Sequence, residues 1–432
     1  MANARENRAS GADERLIPGT VECRFLIRDC EVRISQWSKS VLLFLLLAVI
    51  PLGILIHAHS QDGGVLSLIH FGLRFASSQL PQLRSINPPL AVNPDGYDGQ
   101  FYAQIALDPL LRSGHLEHAL DNPAFRARRI GLPALAALLG GGNVELTLYV
   151  FALINFAFWV LLAVLLLRFR PPATWRDVAM IVAMLWTSGT LISLSLALTD
   201  LPAAVLGVTA LLARGGRPVV AWLLGLSALF RETSVLSFGA ALASGGDGLK
   251  PILNRASKVI PILTLPLVAW MVYVQLNLPS AAGLGSSAGL GHGIFALPLT
   301  GLAGKILNAA HTLYWGTGDV PLVKRFYFLF ELLAPLSLTV QAVYLFLRPR
   351  LTDPIWAFGA GFAVLLVFLG DSVWIDQFGY CRILLPLTFA FNLLIHATER
   401  SERFWWWFVV GNLGLTSILG RTLLTVYTWI SS

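Results

Sequence analysis

Charged residues are scarce in this chain of 432 residues. They make up 13% of it, whereas a soluble globular protein carries about 25%. The shortage extends over most of the length, and hydrophobic residues account for 56% of the chain. This composition excludes an ordinary soluble domain and indicates a polytopic membrane protein. The formal net charge is +7, but the basic residues lie mainly in short loops between apolar runs, where positive charge sets topology and does not indicate nucleic acid as a partner.

Cysteine is also nearly absent. The three cysteines, Cys23, Cys30 and Cys381, match neither a disulfide framework nor the spacing of a zinc site. The eight histidines are scattered, and none forms a helical metal-binding pair. The sequence therefore offers no redox argument and no metal motif built on these residue types.

Long apolar runs are what the chain has instead. The first, Val41 to Ile56, follows a polar segment and lacks a convincing small-residue cleavage site, so it is interpreted as a retained signal anchor behind a cytoplasmic tail, 1–40. The chain is predicted to be an all-α polytopic membrane protein with about eleven transmembrane helices in one domain, 41–432. Several of them are shorter than the ~20 residues that a simple span needs. After the first, helices are predicted near 144–167, 177–197, 201–213, 219–230, 234–243, 259–276, 326–347, 354–370, 383–396 and 404–419.

The loop charges predict which ends of these helices share a side. From a cytoplasmic N-terminus, the arginine- and lysine-rich loops fall on the cytoplasmic side, as the positive-inside rule expects. Two long loops, 57–143 and 277–325, fall on the outer side, and long ordered loops usually have a function. The same outer side receives most of the unusual polar residues: Asp95, Asp98, Asp108, Asp200, Arg231, Glu232, Asp371, Asp376 and Arg382.

The first outer loop concentrates acidic residues, although Asp and Glu number only 24 in the whole chain. Gly96 and Gly99 flank Tyr97-Asp98, which predicts a tight turn that presents Asp98 outward. A short helix is predicted over 100–107, and an interfacial or re-entrant helix over 134–139. A carboxylate at a membrane surface can accept a proton, hold a metal ion or orient a sugar hydroxyl.

The sequence Tyr97-Asp98-Gly99-Gln100-Phe101-Tyr102, followed by Arg128-Arg129-Ile130 and an apolar run containing Pro133, resembles the membrane glycosyltransferases of the GT-C superfamily. It is most similar to the branch that includes the second mannosyltransferase of GPI-anchor synthesis and its bacterial relatives. The resemblance implies a polyprenyl-phosphate sugar donor, transfer on the lumenal or periplasmic face, and essential acidic residues in the first outer loop. Some members have two adjacent acids, whereas Asp95 and Asp98 lie three residues apart here, so the choice of base stays open.

The expected chemistry assigns roles to these residues. Asp98, with Asp95 as the second catalytic candidate, takes the acceptor proton. The leaving lipid phosphate needs positive charge, and a guanidinium can hold phosphate oxygens bidentately, so Arg382 is the leading candidate, followed by Arg231 and Arg129. No cofactor is certain, although a divalent metal, Mg²⁺ or Mn²⁺, between Asp95, Asp98 and a phosphate is an alternative. Substrate contacts are predicted for Tyr97, Gln100, Tyr102, Glu232, Asp371, Trp374, Asp376 and Tyr380.

Each charged candidate also has a structural interpretation. Asp98 could cap a turn, and Arg382 could be an interfacial arginine whose head group reaches water. Arg231 and Glu232 could form a salt bridge at a tight helical turn. Asp200 could cap the helix that Pro202 begins.

The predicted function is an inverting membrane glycosyltransferase that moves a sugar from a polyprenyl-phosphate donor to a glycan, lipid or protein acceptor of the cell envelope. One alternative is a transporter or flippase, which should show inverted repeats and charges near the bilayer midplane. Another is a noncatalytic subunit of envelope polysaccharide assembly. The arginine-rich composition predicts a bacterial inner (plasma) membrane protein with a periplasmic active site, and with membrane lipids as further partners.

Overall fold

The computed structural model describes residues 18–84, 86, 92–212, 217–243, 249–278, 293–315 and 322–418. Helices dominate these residues, beside one short parallel ladder of β1 (Phe71–Gly72) and β2 (Val92–Asn93). Residues 1–17 of the predicted cytoplasmic tail and parts of the second outer loop lie outside the described residues. The α-helices are α1 (Pro18–His59), α2 (Pro81–Arg84), α3 (Gly99–Leu107), α4 (Leu116–Ala119), α5 (Pro123–Arg126), α6 (Gly131–Gly140), α7 (Val144–Phe169), α8 (Trp175–Leu185), α9 (Ser188–Ser195), α10 (Asp200–Leu212), α11 (Arg217–Phe230), α12 (Gly239–Leu242), α13 (Leu249–Asn277), α14 (Thr300–Trp315), α15 (Leu322–Leu347), α16 (Pro354–Phe368), α17 (Asp371–Trp374), α18 (Gln377–Ile383), α19 (Leu385–Thr398) and α20 (Ser401–Asn412).

Among the described helices, four stretches are long and apolar enough to cross a membrane: Ser38–His59, Val144–Phe169, Arg255–Asn277 and Phe328–Leu347. Two bent pairs, α8 with α9 and α18 with α19, raise the number to six if each pair is one span. Shorter apolar helices, including α6, α10 and α16, accompany them. This is the pattern of an integral membrane protein. The predicted number of about eleven spans exceeds these four to six and stays a prediction.

The helix positions largely agree with the apolar runs, but the run 234–243 forms a 3₁₀ segment, Glu232–Ser237, followed by the short α12, and two other runs predicted as single helices are bent. The run 383–396 divides between α18 and α19 with a bend of 54°, and Pro386 in the first turn of α19 explains the break because proline cannot donate the helical hydrogen bond. The run 177–197 divides between α8 and α9 with a bend of 41°. The indole of Trp186 at that break donates to the backbone oxygen of Leu47 in α1.

Buried glutamines hold the first outer loop onto α3. The side chain of Gln100 accepts a hydrogen bond from the amide of Gly72 at 2.9 Å. Gln104, one turn later, accepts from Leu80 and donates to the carbonyl of Ala119. Gln100 is 1% exposed and binds the loop backbone, which gives it a structural role, and its contact with substrate stays a prediction.

The start of α3 is also fixed by a close backbone approach. A side chain at Gly99 would come within 2.6 Å of the carbonyl oxygen of Leu196, which follows α9. Only glycine fits there without displacing the backbone. Asp98, immediately before it, is therefore held against the loop between α9 and α10.

Polar side chains gather at both ends of α19. Arg382 lies in α18 just before α19 begins, and His396, in its last turn, contacts Asp177 of α8 at 2.7 Å. Next to His396, Glu399 pairs with Arg348. A helix of 14 residues is ~21 Å long, and between its ends Thr388 and Asn392 form buried hydrogen bonds with Gln341 and Asn412. The candidate site is built at the Arg382 end.

Candidate functional site

Asp98 lies between two arginines that are distant in sequence. Its Oδ1 is 2.9 Å from a terminal nitrogen of Arg126, and its Oδ2 accepts a hydrogen bond of 2.6 Å from Arg382. The side chain is 18% exposed. The sequence predicted that the turn presents Asp98 outward, and that detail is wrong, because the two guanidinium groups hold the carboxylate inward.

A second carboxylate completes the surroundings of Arg382. Asp200, the first residue of α10, has a side chain only 1% exposed and forms an ion pair with Arg231. Another oxygen of Asp200 lies 3.6 Å from a terminal nitrogen of Arg382. The sequence interpretation of Asp200 as a helix cap missed this role, since nothing in the sequence shows which side chains face the start of α10.

A bidentate ion pair joins the first outer loop to the segment after α11. Arg129 donates to both oxygens of Glu232, each at 2.7 Å, and to the hydroxyl of Tyr102 at 2.7 Å. The suggested salt bridge between the neighbours Arg231 and Glu232 is thus replaced by two ion pairs across the fold, Arg231 with Asp200 and Glu232 with Arg129. These pairs tie together segments that are far apart in the chain.

The sequence reasoning missed Arg126 and Asp121. Arg126 ends α5, donates to both oxygens of Asp121 at 2.8 and 2.7 Å, and also contacts Asp98. Its guanidinium lies 4.9 Å from the ring centre of Phe101, a distance at which an arginine and an aromatic face attract each other. Arg126 ends α5, and Arg129 lies beyond it, so no helical spacing in the sequence signals that both face inward.

These residues form one group, which we term the arginine–carboxylate cluster, and the hydroxyl of Tyr102 joins the Arg129–Glu232 pair to the other six residues. It comprises four guanidinium groups and four carboxylates, and each member has at least one ion-pair partner in the group. Its members are Arg126, Arg129, Arg231, Arg382, Asp98, Asp121, Asp200 and Glu232.

The cluster keeps Asp98 and Glu232 ionised. Burial alone would raise the pKa of the Asp98 carboxyl, but Arg382 and Arg126 outweigh burial and hold that pKa well below its usual range. Burial likewise opposes ionisation of Glu232, yet Arg129 lowers the pKa of that carboxyl to about 2. Both groups are therefore charged at neutral pH, and Asp98 in this state is a weak proton acceptor.

Two tyrosines predicted as substrate contacts border the cluster. The hydroxyl of Tyr102 accepts from Arg129 and Arg126, and its side chain is fully buried. The ring of Tyr97 lies 5.3 Å from the guanidinium carbon of Arg382, and burial raises the pKa of its phenol to about 12. Tyr97 is partly exposed and therefore forms part of the rim.

The remaining predicted residues lie outside the cluster. Asp95 is exposed, and Asp371 is exposed at the start of α17. Asp376 caps α18 through the amide of Phe378. Trp374 is 1% exposed and packs on Tyr380 with ring centres 4.8 Å apart. The ring of Trp374 is therefore covered, and its role as a stacking face for an acceptor sugar stays a prediction.

The donor set does not fit a divalent cation well. Both oxygens of Asp98 face guanidinium groups, whose positive charge repels a second cation. Among the described residues, no group of three or more His, Cys, Asp or Glu side chains could hold a metal ion. A metal between Asp95 and Asp98 stays a prediction.

The cluster combines guanidinium groups that can bind an anion with a carboxylate that can accept a proton. Guanidinium groups hold oxyanions, and a carboxylate beside them can accept a proton once its ion pairs loosen. Comparison of the chain with protein-family models, curated proteins and solved structures finds no match.

Proposed function

We propose that the chain is a membrane glycosyltransferase that uses a polyprenyl-phosphate sugar as donor and works on the periplasmic face of a bacterial inner membrane. The observation that carries the proposal is the contact between Asp98 and Arg382. It joins the residue expected to take the acceptor proton to the residue expected to hold the donor phosphate.

The proposed reaction is a single displacement with inversion at the anomeric carbon. A hydroxyl oxygen of a glycan, lipid or protein acceptor forms a bond to that carbon as the bond to the phosphate oxygen breaks. The hydroxyl proton passes to Asp98, and the polyprenyl phosphate leaves with the electron pair of the broken bond. Arg382 and Arg126 stabilise the charge that develops on the leaving phosphate.

The other two arginines act at a distance in this proposal. Arg129 and Arg231 are buried in ion pairs with Glu232 and Asp200. They therefore orient the pieces of the site and contribute to its electrostatic potential, while Arg382, with its side chain 12% exposed, contacts the phosphate. All three arginines predicted from the sequence to bind the donor phosphate thus belong to the proposed site, but among them only Arg382 contacts the phosphate.

The position of the cluster favours this function over transport. A transporter is expected to hold its charged residues near the bilayer midplane, between repeats. Here the charged group gathers at one end of α10, α11 and α19, and the predicted topology assigns that end to the outer membrane surface, where we expect the lipid phosphate. An assay of donor turnover distinguishes an enzyme from a noncatalytic assembly subunit.

Purified protein in nanodiscs, supplied with a panel of radiolabelled polyprenyl-phosphate sugars, tests the proposal. We expect one donor to be consumed by the wild type and not by Asp98→Asn, with a loss of at least about 100-fold, as is typical when a general base is removed. Asp62→Asn is the matched control, because Asp62 is an exposed acid on the same predicted side and lies outside the cluster.

Retained folding of Asp98→Asn is checked by size-exclusion chromatography and thermal unfolding. Equal turnover by the wild type and Asp98→Asn would remove Asp98 from the chemistry. Binding of a donor without turnover, across a panel of envelope acceptors, would favour the noncatalytic subunit. Absence of both binding and turnover would refute the proposal.

A further inference from the structure

The arginine–carboxylate cluster has no surplus positive charge for an incoming phosphate. Its four guanidinium groups face four carboxylates: ion pairs join six of these groups into one chain, from Asp121 through Asp98 and Arg382 to Arg231, and Arg129 pairs with Glu232 beside it. Charges that are already paired attract a further anion weakly, and a buried phosphate needs its own partners. An anion that enters this site must therefore displace one of the carboxylates.

Arg382 is the arginine with donors to spare. One terminal nitrogen donates to Asp98 at 2.6 Å, and the other lies 3.6 Å from Asp200, too far for a good hydrogen bond. Within the described residues, that second nitrogen and Nε of Arg382 are buried without hydrogen-bond partners. Because a guanidinium binds an oxyanion through two neighbouring N–H groups, Arg382 needs only to release Asp98 to present such a pair.

Asp98 is the carboxylate that can leave with least disturbance. Its side chain is 18% exposed, whereas that of Asp200, the other acid beside Arg382, is 1% exposed. The backbone at Asp98 is fixed by the start of α3 and by Gly99 against the carbonyl of Leu196. A rotation of the Asp98 side chain therefore removes the carboxylate from Arg382 and leaves the loop in place.

We propose that the donor phosphate and the Asp98 carboxylate compete for the Arg382 guanidinium, so that donor binding releases the base that then takes the acceptor proton. This inference rests on the proposed function and adds how the site is regulated. Before the donor arrives, Asp98 occupies the phosphate position as an internal anion and is a poor base. Afterwards Asp98 keeps only Arg126 as an ion-pair partner and is the stronger base.

Binding of farnesyl phosphate, a short isoprenoid phosphate, tests the competition. Isothermal titration calorimetry in detergent would compare the wild type with Asp98→Asn, which cannot form the ion pair. We expect Asp98→Asn to bind farnesyl phosphate about tenfold more tightly or better, because the guanidinium no longer has to break a charge-assisted hydrogen bond. Farnesol, which lacks the phosphate, should bind both proteins equally, and Asp62→Asn should bind farnesyl phosphate as the wild type does.

The outcomes separate this inference from the proposed function. Equal or weaker binding of farnesyl phosphate by Asp98→Asn, with binding by the wild type intact, would overturn the competition and leave the glycosyltransferase proposal standing. Binding by neither protein would mean that the phosphate site is absent, and both proposals would fall. Tighter binding that farnesol reproduces would also overturn the competition, because it would reflect the apolar chain.

The wild type offers a second test in case Asp98→Asn does not fold. The acidic limb of kcat/KM for the donor reports the free protein, and that of kcat reports the donor complex. The groups that face Asp98 are Arg382, Arg126 and Tyr97. When Arg382 binds the phosphate in place of Asp98, the pKa of the Asp98 carboxyl rises. The acidic limb of the kcat profile should therefore lie at higher pH than the acidic limb of the kcat/KM profile. Coincident limbs would contradict the release of Asp98.

Discussion

The pair between Arg129 and Glu232 predicts a large and specific loss of stability for Glu232→Gln. The substitution keeps the shape of the side chain and leaves the Arg129 guanidinium buried at 4% exposure without its carboxylate. Breaking a buried pair from one side costs about 3–5 kcal/mol. The lowering of the Glu232 pKa from 4.5 to about 2 corresponds to about 3 kcal/mol, which agrees with that range.

The pH dependence has a definite sign. Because the folded-state pKa of Glu232 lies below the unfolded value, its contribution is fully present above pH 4.5 and is lost as the pH falls towards 2. We expect the wild type to lose about 2 kcal/mol through this group between pH 7 and pH 3. Glu232→Gln should lack that part of the loss.

Equilibrium unfolding by sodium dodecyl sulfate in mixed micelles, at pH 7 and pH 3, measures both effects. Glu402→Gln is the matched control, since Glu402 is exposed in α20, and it should change the free energy of unfolding by less than about 0.5 kcal/mol. A loss below about 1 kcal/mol for Glu232→Gln at pH 7 would refute the reasoning. It would mean that the pair behaves as a solvated surface contact.

Two further predictions follow from packing and topology. Gly99→Ala should lower the free energy of unfolding by about 1–3 kcal/mol and abolish turnover, because the new methyl group meets backbone and displaces the start of α3. Gly114→Ala is the control, since Gly114 has open space around it, and it should not change the midpoint of thermal unfolding. Equal midpoints for the two variants would contradict the close packing at Gly99. In a cysteine-free background, a membrane-impermeant maleimide should label Ser372→Cys in intact spheroplasts and Ser401→Cys only after permeabilisation. Both positions are exposed, and they lie on opposite predicted sides of the membrane. The reverse labelling pattern would show that the predicted topology is inverted.

Apolar runs in the sequence located most helices because they end at visible boundaries. The run predicted at 144–167 corresponds to α7, Val144–Phe169, which begins after the capping side chain of Asn143 and ends among arginines. Bends were harder to predict. Pro386 marks one of them. The break after α8 contains no proline, but α9 begins with the pair Ser188-Gly189, and Gly/Ser pairs are a known, weaker signal of a helix bend.

The candidate site was predictable in its members and not in its pairings. Asp98, Arg382 and Arg129 were identified because charges are rare in an apolar chain, but their partners are set by segments up to 284 residues apart. Arg126 was missed because it stands in a basic run with Arg128 and Arg129, where one arginine resembles the next. Burial distinguishes them, since Arg126 and Arg129 are buried and Arg128 is partly exposed.

The distance along the chain between Asp98 and Arg382 has a consequence for biogenesis. The two residues are 284 positions apart, so at the usual rate of synthesis Asp98 emerges roughly 15–60 s before Arg382 does. The nearby pair of Arg126 and Asp121, five residues apart, can form at once. During that interval the first outer loop has its internal ion pair but lacks the contact between Asp98 and Arg382, which forms only when α18 has been synthesised. A nascent chain halted before residue 382 should therefore expose this loop to protease, and a chain halted after α18 should protect it.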